Sequence, residues 1–371
     1  QAGDNKTVRV PTFVGTTIDN VSYMQKRLVL LADNNAVMTK TEDIFDFWKA
    51  SANKLVTSDP IDIASSAPAT DNLKHMIQHN KDLLVLASNA QFKISGDVAL
   101  TPETVAMPLT TSFDCQTRVP PVTMGNSVFF PTTYGDSSGI HEYTAQKDTS
   151  QDDGFPITHH VIGYMKGEVA NLAASPNLEM LALTMTEGPR NEVFVYEQFS
   201  EGAKKLQVAW STWILPENDV IEKINLSRGR LDLLVLEGTN LVLKRLGMYS
   251  NVSSAAKDEI FLDDRLTLTC TDGVTVTIPA DYVVDADTVV ARGLDAVYPL
   301  MQVKYVQDGT TLTFPKDIRV GGAPATVYVG RRFMSKYRPT RPFVYDENGI
   351  PDTTDAVRVN SLFVSVVDTS E

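Results

Sequence analysis

Short apolar runs recur along the chain at intervals of roughly 50 residues: Leu28-Val29-Leu30-Leu31, Leu83-Leu84-Val85-Leu86, Val128-Phe129-Phe130, Met180-Leu181-Ala182-Leu183 and Leu233-Leu234-Val235-Leu236. A shorter strand-like stretch and a polar turn precede each run, and a second turn and strand follow it. An apolar run of this length between turn residues predicts a strand buried on both faces. About 50 residues suffice for one four-stranded blade, so the expected fold is all-β, with β-propeller-like repeated blades. Such an array is a scaffold first, and an enzyme only if its loops carry chemistry.

Turn dipeptides Asp272-Gly273, Asp308-Gly309 and Asn348-Gly349 separate alternating runs rich in Val, Thr and Leu. Thr267-Leu268-Thr269-Cys270 and Val274-Thr275-Val276-Thr277-Ile278 predict a hairpin about Asp272-Gly273. Residues 41–55 carry the best helical signal, with Thr41 as cap and Ile44, Phe45, Phe47 and Trp48 packing into a core. Blades are expected over residues 1–250. The polar, small-residue stretch 250–257 marks a boundary, and an inserted or appended β-rich module follows over 258–325 as a candidate projection. Strands in 326–371 are expected to return to the propeller region.

Composition narrows the functions open to this scaffold. A net charge of −13 over 371 residues argues against DNA binding through a basic face. No apolar run approaches the ~20 residues of a membrane-spanning helix. Cys115 and Cys270 lie far apart and form no C-x-x-C pair, which predicts two free, buried thiols rather than a disulfide or zinc site.

Several local patterns imitate catalytic or metal motifs. Gly135-Asp136-Ser137-Ser138-Gly139 fits G-x-S-x-G, but a nucleophile elbow joins a strand to a helix, whereas this segment joins two strand-like runs. Gly, Asp and Ser are ordinary hairpin residues, so a turn is expected. His75 and His79 have the i, i+4 spacing of helical zinc ligands without an intervening Glu, in a stretch that reads as strand and turn. Adjacent His159 and His160 would point to opposite faces of a strand. Asp346, Asn348, Asp352 and Asp355 suggest a calcium loop without the closing Glu, and an Asn-Gly turn with solvated carboxylates suits them better. Asp281, Asp285 and Asp287 pose the same choice. Asn-x-Ser/Thr matches at Asn5, Asn20, Asn225 and Asn251 are expected by chance in a Ser- and Thr-rich chain. No catalytic residue, metal or cofactor is expected.

Arg331, Arg332, Lys336, Arg338 and Arg341 form a basic cluster in an otherwise acidic chain, interleaved with Phe333, Tyr337 and Pro339. Three roles are open to it: a solvated strand face with weak ion pairs, a subunit interface in which Arg forks grip a neighbour's carboxylates, or contact with passing DNA. The five residues are the subunit-interface candidates.

An ordered set of stretches carries a family resemblance. It runs through Arg27-Leu28-Val29-Leu30-Leu31, Phe45-Asp46-Phe47-Trp48, Asp59-Pro60-Ile61-Asp62-Ile63-Ala64, Ala90-Gln91-Phe92, Arg118-Val119-Pro120-Pro121, Gly125-Asn126-Ser127-Val128-Phe129-Phe130, Ile157-Thr158-His159-His160-Val161 and Trp210-Ser211-Thr212-Trp213. In this order they resemble the tail tubular protein B family, the tail nozzle proteins of short-tailed podophages. The likeness is strong over residues 12–215, looser afterwards, and returns at Val327-Tyr328-Val329-Gly330-Arg331-Arg332-Phe333. Family members are longer, and the chain resembles their central part. The resemblance implies a structural, non-enzymatic subunit of a homohexameric ring beneath a tail adaptor protein, near the tail fibres. Such a ring closes the distal end of the virion tail, then conducts double-stranded DNA without reading its sequence. Assembly in the host cytoplasm is implied as well. An acidic lumen would let DNA slide, because phosphate neutralisation would retain it. Two competing readings are a glycan- or receptor-binding propeller and a glycan hydrolase. The latter lacks the repeated Ser-x-Asp-x-Gly-x-Thr-Trp boxes typical of propeller sialidases.

Overall fold

The computed structural model describes residues 8–66, 72–145, 152–161, 163–201, 204–248 and 260–336, with backbone alone for 145, 152–153, 344–345 and 351–352. The chain forms two compact units, Gln1–Tyr249 and Ser250–Glu371.

The first unit is five antiparallel sheets in chain order, each a meander of consecutive strands. Blade one holds β1 (Ile18–Met24), β2 (Arg27–Ala32), β3 (Asn35–Met38) and β4 (Ile61–Ala64). Blade two follows with β5 (His75–His79), β6 (Asp82–Leu86), β7 (Gln91–Ile94) and β8 (Leu109–Thr111). Blade three contains β9 (Val122–Met124), β10 (Ser127–Tyr134), β11 (Ser137–Ala145) and β12 (Asp152–Pro156). Blade four contains β13 (Val169–Ser175), β14 (Met180–Met185), β15 (Glu192–Glu201) and β16 (Lys204–Ile214). Blade five has three strands among the described residues, β17 (Asp219–Ser227), β18 (Arg230–Glu237) and β19 (Asn240–Gly247). The protein is thus all-β and built of propeller-like blades.

Each apolar run of the sequence occupies the second strand of its blade, from β2 to β18. Alternate residues of these strands feed opposite seams. In β6, Leu83 and Val85 enter the core shared with blade one, while Leu84 and Leu86 enter the core shared with blade three. Further clusters join blade three to four and blade four to five. Full burial of one such aliphatic side chain stabilises by about 1.5–3 kcal/mol. Blade five differs, because Leu234 and Leu236 are half-buried and their β19 neighbours Leu243 and Leu241 are exposed.

No helix forms in residues 41–55. Short acidic side chains compete there for backbone N–H groups, as Asp and Asn do when they favour turns. Asp43 accepts from Phe45, Asp46 accepts from Trp48, and Asp59 accepts from both Ala50 and Val56. Arg27, buried at 1% exposure, fastens this loop by donating to the carbonyls of Thr39, Asp59 and Thr57. The β1–β2 turn places Gln25 and Lys26 at φ 45° and 64°, a primed hairpin turn made without glycine.

In the second unit the strands are β20 (Asp263–Cys270), β21 (Thr275–Thr277), β22 (Thr288–Arg292), β23 (Gln302–Val303), β24 (Val306–Asp308), β25 (Thr311–Thr313) and β26 (Ala325–Arg331). Two short pairs of backbone, β27 (Val344–Tyr345) and β28 (Pro351–Asp352), complete the series. One sheet has the order β20-β26-β22-β23 and another the order β21-β25-β24. Cys270, Val290, Val327 and Val329 of the first sheet share a core with Val276 and Leu312 of the second.

Two features of this unit differ from the sequence reading. The expected hairpin about Asp272-Gly273 is absent: β20 pairs with β26, and β21 pairs with β25. Asp272 instead closes a tight turn, accepting from the Thr275 hydroxyl and from the backbone N–H of Thr275 and Val274. Those bonds hold its carboxyl far below the ordinary carboxylate range. The strand that begins at Ala325, where the chain was expected to turn back toward the blades, lies between β20 and β22. Its apolar face, Ala325, Val327 and Val329, is buried in the second unit's own core.

Candidate functional site

Arg331 and Arg332 stand at the C-terminal end of β26, and the β22–β26 register sets Arg331 opposite Thr288. The residues just before β22 carry Asp285 and Asp287, which this pairing brings beside the two arginines. Arg331 donates from Nη2 to Asp285 Oδ2 in a partly buried ion pair. Asp285 Oδ1 also accepts from the Thr288 hydroxyl and the Asp287 N–H, both at 3.0 Å. Burial works against ionisation of Asp285, but the bonds from Arg331 and Thr288 outweigh it and hold the carboxyl below its ordinary value. Tyr282, close to this network, has its phenol pushed up to about 12, first by burial and then by Asp264.

Arg332 is outside this shelter. Its Nε lies 3.2 Å from Asp287 Oδ1, and both side chains are about two-thirds exposed. Lys336, Phe333 and Met334 are exposed beyond it. Arg338 and Arg341, with Tyr337 and Pro339, fall outside the described residues. The described part of the cluster therefore divides into Arg331, in a partly buried internal pair, Arg332, in an exposed pair with Asp287, and exposed Lys336. Sequence reading found both halves of the ion pairs and did not join them. Asp285 and Arg331 are 46 residues apart, and no local pattern encodes that distance.

The remaining motifs resolve into structure. Gly135 and Asp136 form the β10–β11 turn, in which Tyr134 pairs with Ser137 and Gly135 adopts φ 65°. Ser138 is buried, donates to the Gly167 carbonyl and accepts from Gln116 Nε2. His75 and His79 lie on β5, whereas His159 and His160 open a 3-10 turn rather than a strand. Among the described residues no group of three or more His, Cys, Asp or Glu is placed to hold a metal ion. The Asp346–Asp355 carboxylates and the residue 250–257 boundary lie outside the described side chains. Both cysteines are free and buried, and burial pushes the Cys115 thiol up to about 12. A depression of about 370 Å³ opens over β13 and β17, with Arg118, Asn171 and Lys223 on its wall. The Asn171 amide is already committed to Thr184 Oγ1 and the Glu222 carbonyl.

The described residues thus offer apolar seams between blades and charges paired within the chain. Residues 1–371 match the family described as bacteriophage nozzle protein; the chain belongs to that family and is a structural component of a phage tail. Over 274 residues it is 28% identical to the tail tubular protein gp12 of Escherichia phage T7, a match covering 73% of this chain and 34% of that protein. The chain thus spans about a third of the length of that relative. Similar solved structures include Hsv2p of Kluyveromyces lactis (TM-score 0.35, 10% identity, 63% of this chain and 75% of that one). The Pan2 WD40 domain of Neurospora crassa gives a TM-score of 0.35 at 8% identity, covering 85% and 76%. At such scores the propeller-like assignment rests on the blades themselves.

Proposed function

We infer that this chain is the bladed body of the distal nozzle ring of a short, non-contractile tail, present as a homohexamer. The ring retains the packaged genome and conducts the duplex during ejection. It sits beneath an adaptor ring and beside the tail fibres, and is assembled in the host cytoplasm. The observation that carries this reading is the nozzle-family match along all 371 residues.

The physical chemistry supports it. Four apolar seams join the five blades into one wall, which suits a conduit. A net charge of −13 suits a lumen that does not retain phosphates through counterion release. Cyclic rings use heterologous contacts, in which a patch on one subunit meets a different patch on the next. Exposed Arg332 and Lys336 supply such a patch, with Arg338 and Arg341 following in sequence.

Immunogold labelling of purified virions with antibody to this chain tests the proposal. Label at the distal tail tip is expected. Label confined to the capsid or fibres, or none on intact and partly disassembled particles, would overturn it.

A further inference from the structure

Three of the five histidines meet at one seam, between blades two and three. His75, Ile77 and His79 alternate along the face of β5 that turns toward blade three, in register with Leu86, Leu84 and Asp82. His141 and Tyr143 on β11 answer them, paired with Phe130 and Val128. His75 Nε2 donates to the Thr117 carbonyl at 2.9 Å, and His79 Nε2 donates to the Asn126 carbonyl at 2.7 Å. Each therefore crosses from blade two to the chain of blade three. The His79 ring stands edge-on to Tyr143, and His141 is stacked 5.7 Å from Phe130 and lies 4.8 Å from Phe113.

Among the described residues, this seam is also the one with the least apolar cement. Its cluster holds six buried residues, against ten or more in each of the other three. Among the described residues, the buried Nδ1 atoms of His75 and His141 have no hydrogen-bond partner. In a neutral ring such a nitrogen is one unmet acceptor, a smaller cost than a buried charge. A proton there creates a buried charge and an N–H without an acceptor, each costly to bury.

We propose that the seam between the second and third blades is an acid-sensitive release, in which protonation of His141 and His75 parts the two blades while the other three seams hold. A bladed wall that yields at one defined seam has a built-in hinge.

The charged groups around the rings do not cancel the effect. Asp114 faces His141 together with the Tyr134 ring. Asp19 and Lys74 face His75 but are spent on each other, 2.8 Å apart. Asp82, opposite His79, accepts from the Gly96 N–H. Glu142 points away, into the pair it makes with Lys205 of blade four. Burial lowers the pKa of His75 and His141, partly offset by the Thr117 carbonyl and Asp19 at the first ring and by Asp114 at the second. The folded seam thus favours the neutral form of both rings relative to the unfolded chain, where histidine titrates near ~6.5. Their contribution is present above that pH and lost as pH falls below it, because the opened state then binds more protons.

Hydrogen exchange of the full chain, read by mass spectrometry at pH 7.5 and 5.5 and corrected for intrinsic rates, tests this. Peptides covering β5, β10 and β11 should lose protection by about tenfold or more on acidification, the factor for one pKa unit. Peptides covering β14 and β18 should change by less than about twofold. The double variant His75→Gln, His141→Phe should remove most of the acid-induced increment, while His159→Gln, His160→Gln should leave it in place. Wild-type exchange decides the matter even if the double variant does not fold. Acid-induced loss spread evenly over all seams, or retained in a folded double variant, would overturn the proposal.

Discussion

The two units solve one problem, covering the faces of small sheets, in opposite ways. In the first, strands pair with their neighbours in sequence within each blade, and the second strands of inner blades, such as β6 and β14, feed a seam on either side. In the second, the strand nearest the C-terminal end of the core, β26, is inserted between β20 and β22, and β21 crosses to β25. Local pairing leaves a periodic trace in the sequence, because each repeat needs the same apolar run at the same place. Long-range pairing leaves none. That contrast separates what could be foreseen here from what could not.

The largest expected effect bears on the apolar runs themselves. Leu181, fully buried between blades three and four, should cost about 3–5 kcal/mol as Leu181→Ala, from lost transfer energy and the cavity left behind. Leu236, half-buried on the face of β18 opposite the blade-four seam, should cost about 1–2 kcal/mol as Leu236→Ala, in proportion to the smaller area it buries. Denaturant midpoints of the two variants measure the difference. Equal losses would mean that the fifth blade is as enclosed as the fourth, and the description of its open face would be wrong.

Next comes Arg27. Arg27→Met keeps the apolar stem but leaves the carbonyls of Thr39, Thr57 and Asp59 without their donor. A loss of about 2–4 kcal/mol is expected, with proteolytic nicking of residues 41–59 at low protease concentration. A loss under about 0.5 kcal/mol would show that the loop is fastened by other contacts.

A smaller effect probes the long-range pairing of the second unit. A double-mutant cycle on Asp285→Asn and Arg331→Gln should give a coupling of about 1 kcal/mol, since the pair is partly buried. The same cycle on Asp287 and Arg332, both two-thirds exposed, should give a few tenths at most. The Asp285 carboxyl is held below its ordinary value when folded, so its share of stability is present at neutral pH and lost as pH falls through the acid range. The smallest effect is chemical: Cys115, with its thiol pushed up to about 12, should resist a thiol reagent at pH 8 until the chain unfolds.

How much was legible follows from the same physics. The second strands of all five blades, and the turn at Gly135-Asp136, were readable because they rest on local pattern and turn chemistry. The helix expected at residues 41–55 does not form because the carboxylates of Asp43, Asp46 and Asp59 take backbone N–H groups into turns, which the spacing of the aromatics does not reveal. The hairpin expected at Asp272-Gly273 failed because turn chemistry fixes a turn and not the partners of the strands beside it. The ion pairs of Arg331 and Arg332 were invisible because register across a sheet, not spacing along the chain, joins them to Asp285 and Asp287. The histidine seam had a fainter local signal. His75 and His79 share one face of β5, yet His141 completes the group only through blade packing.

Cryo-electron microscopy of the intact tail is the most direct measurement of the central claim. The account predicts six copies of the five-bladed unit around a through-channel at the distal tip, with Arg332 and Lys336 at the boundary between neighbouring copies. Density for the bladed unit away from that tip, or in a number and arrangement that enclose no channel, would contradict it.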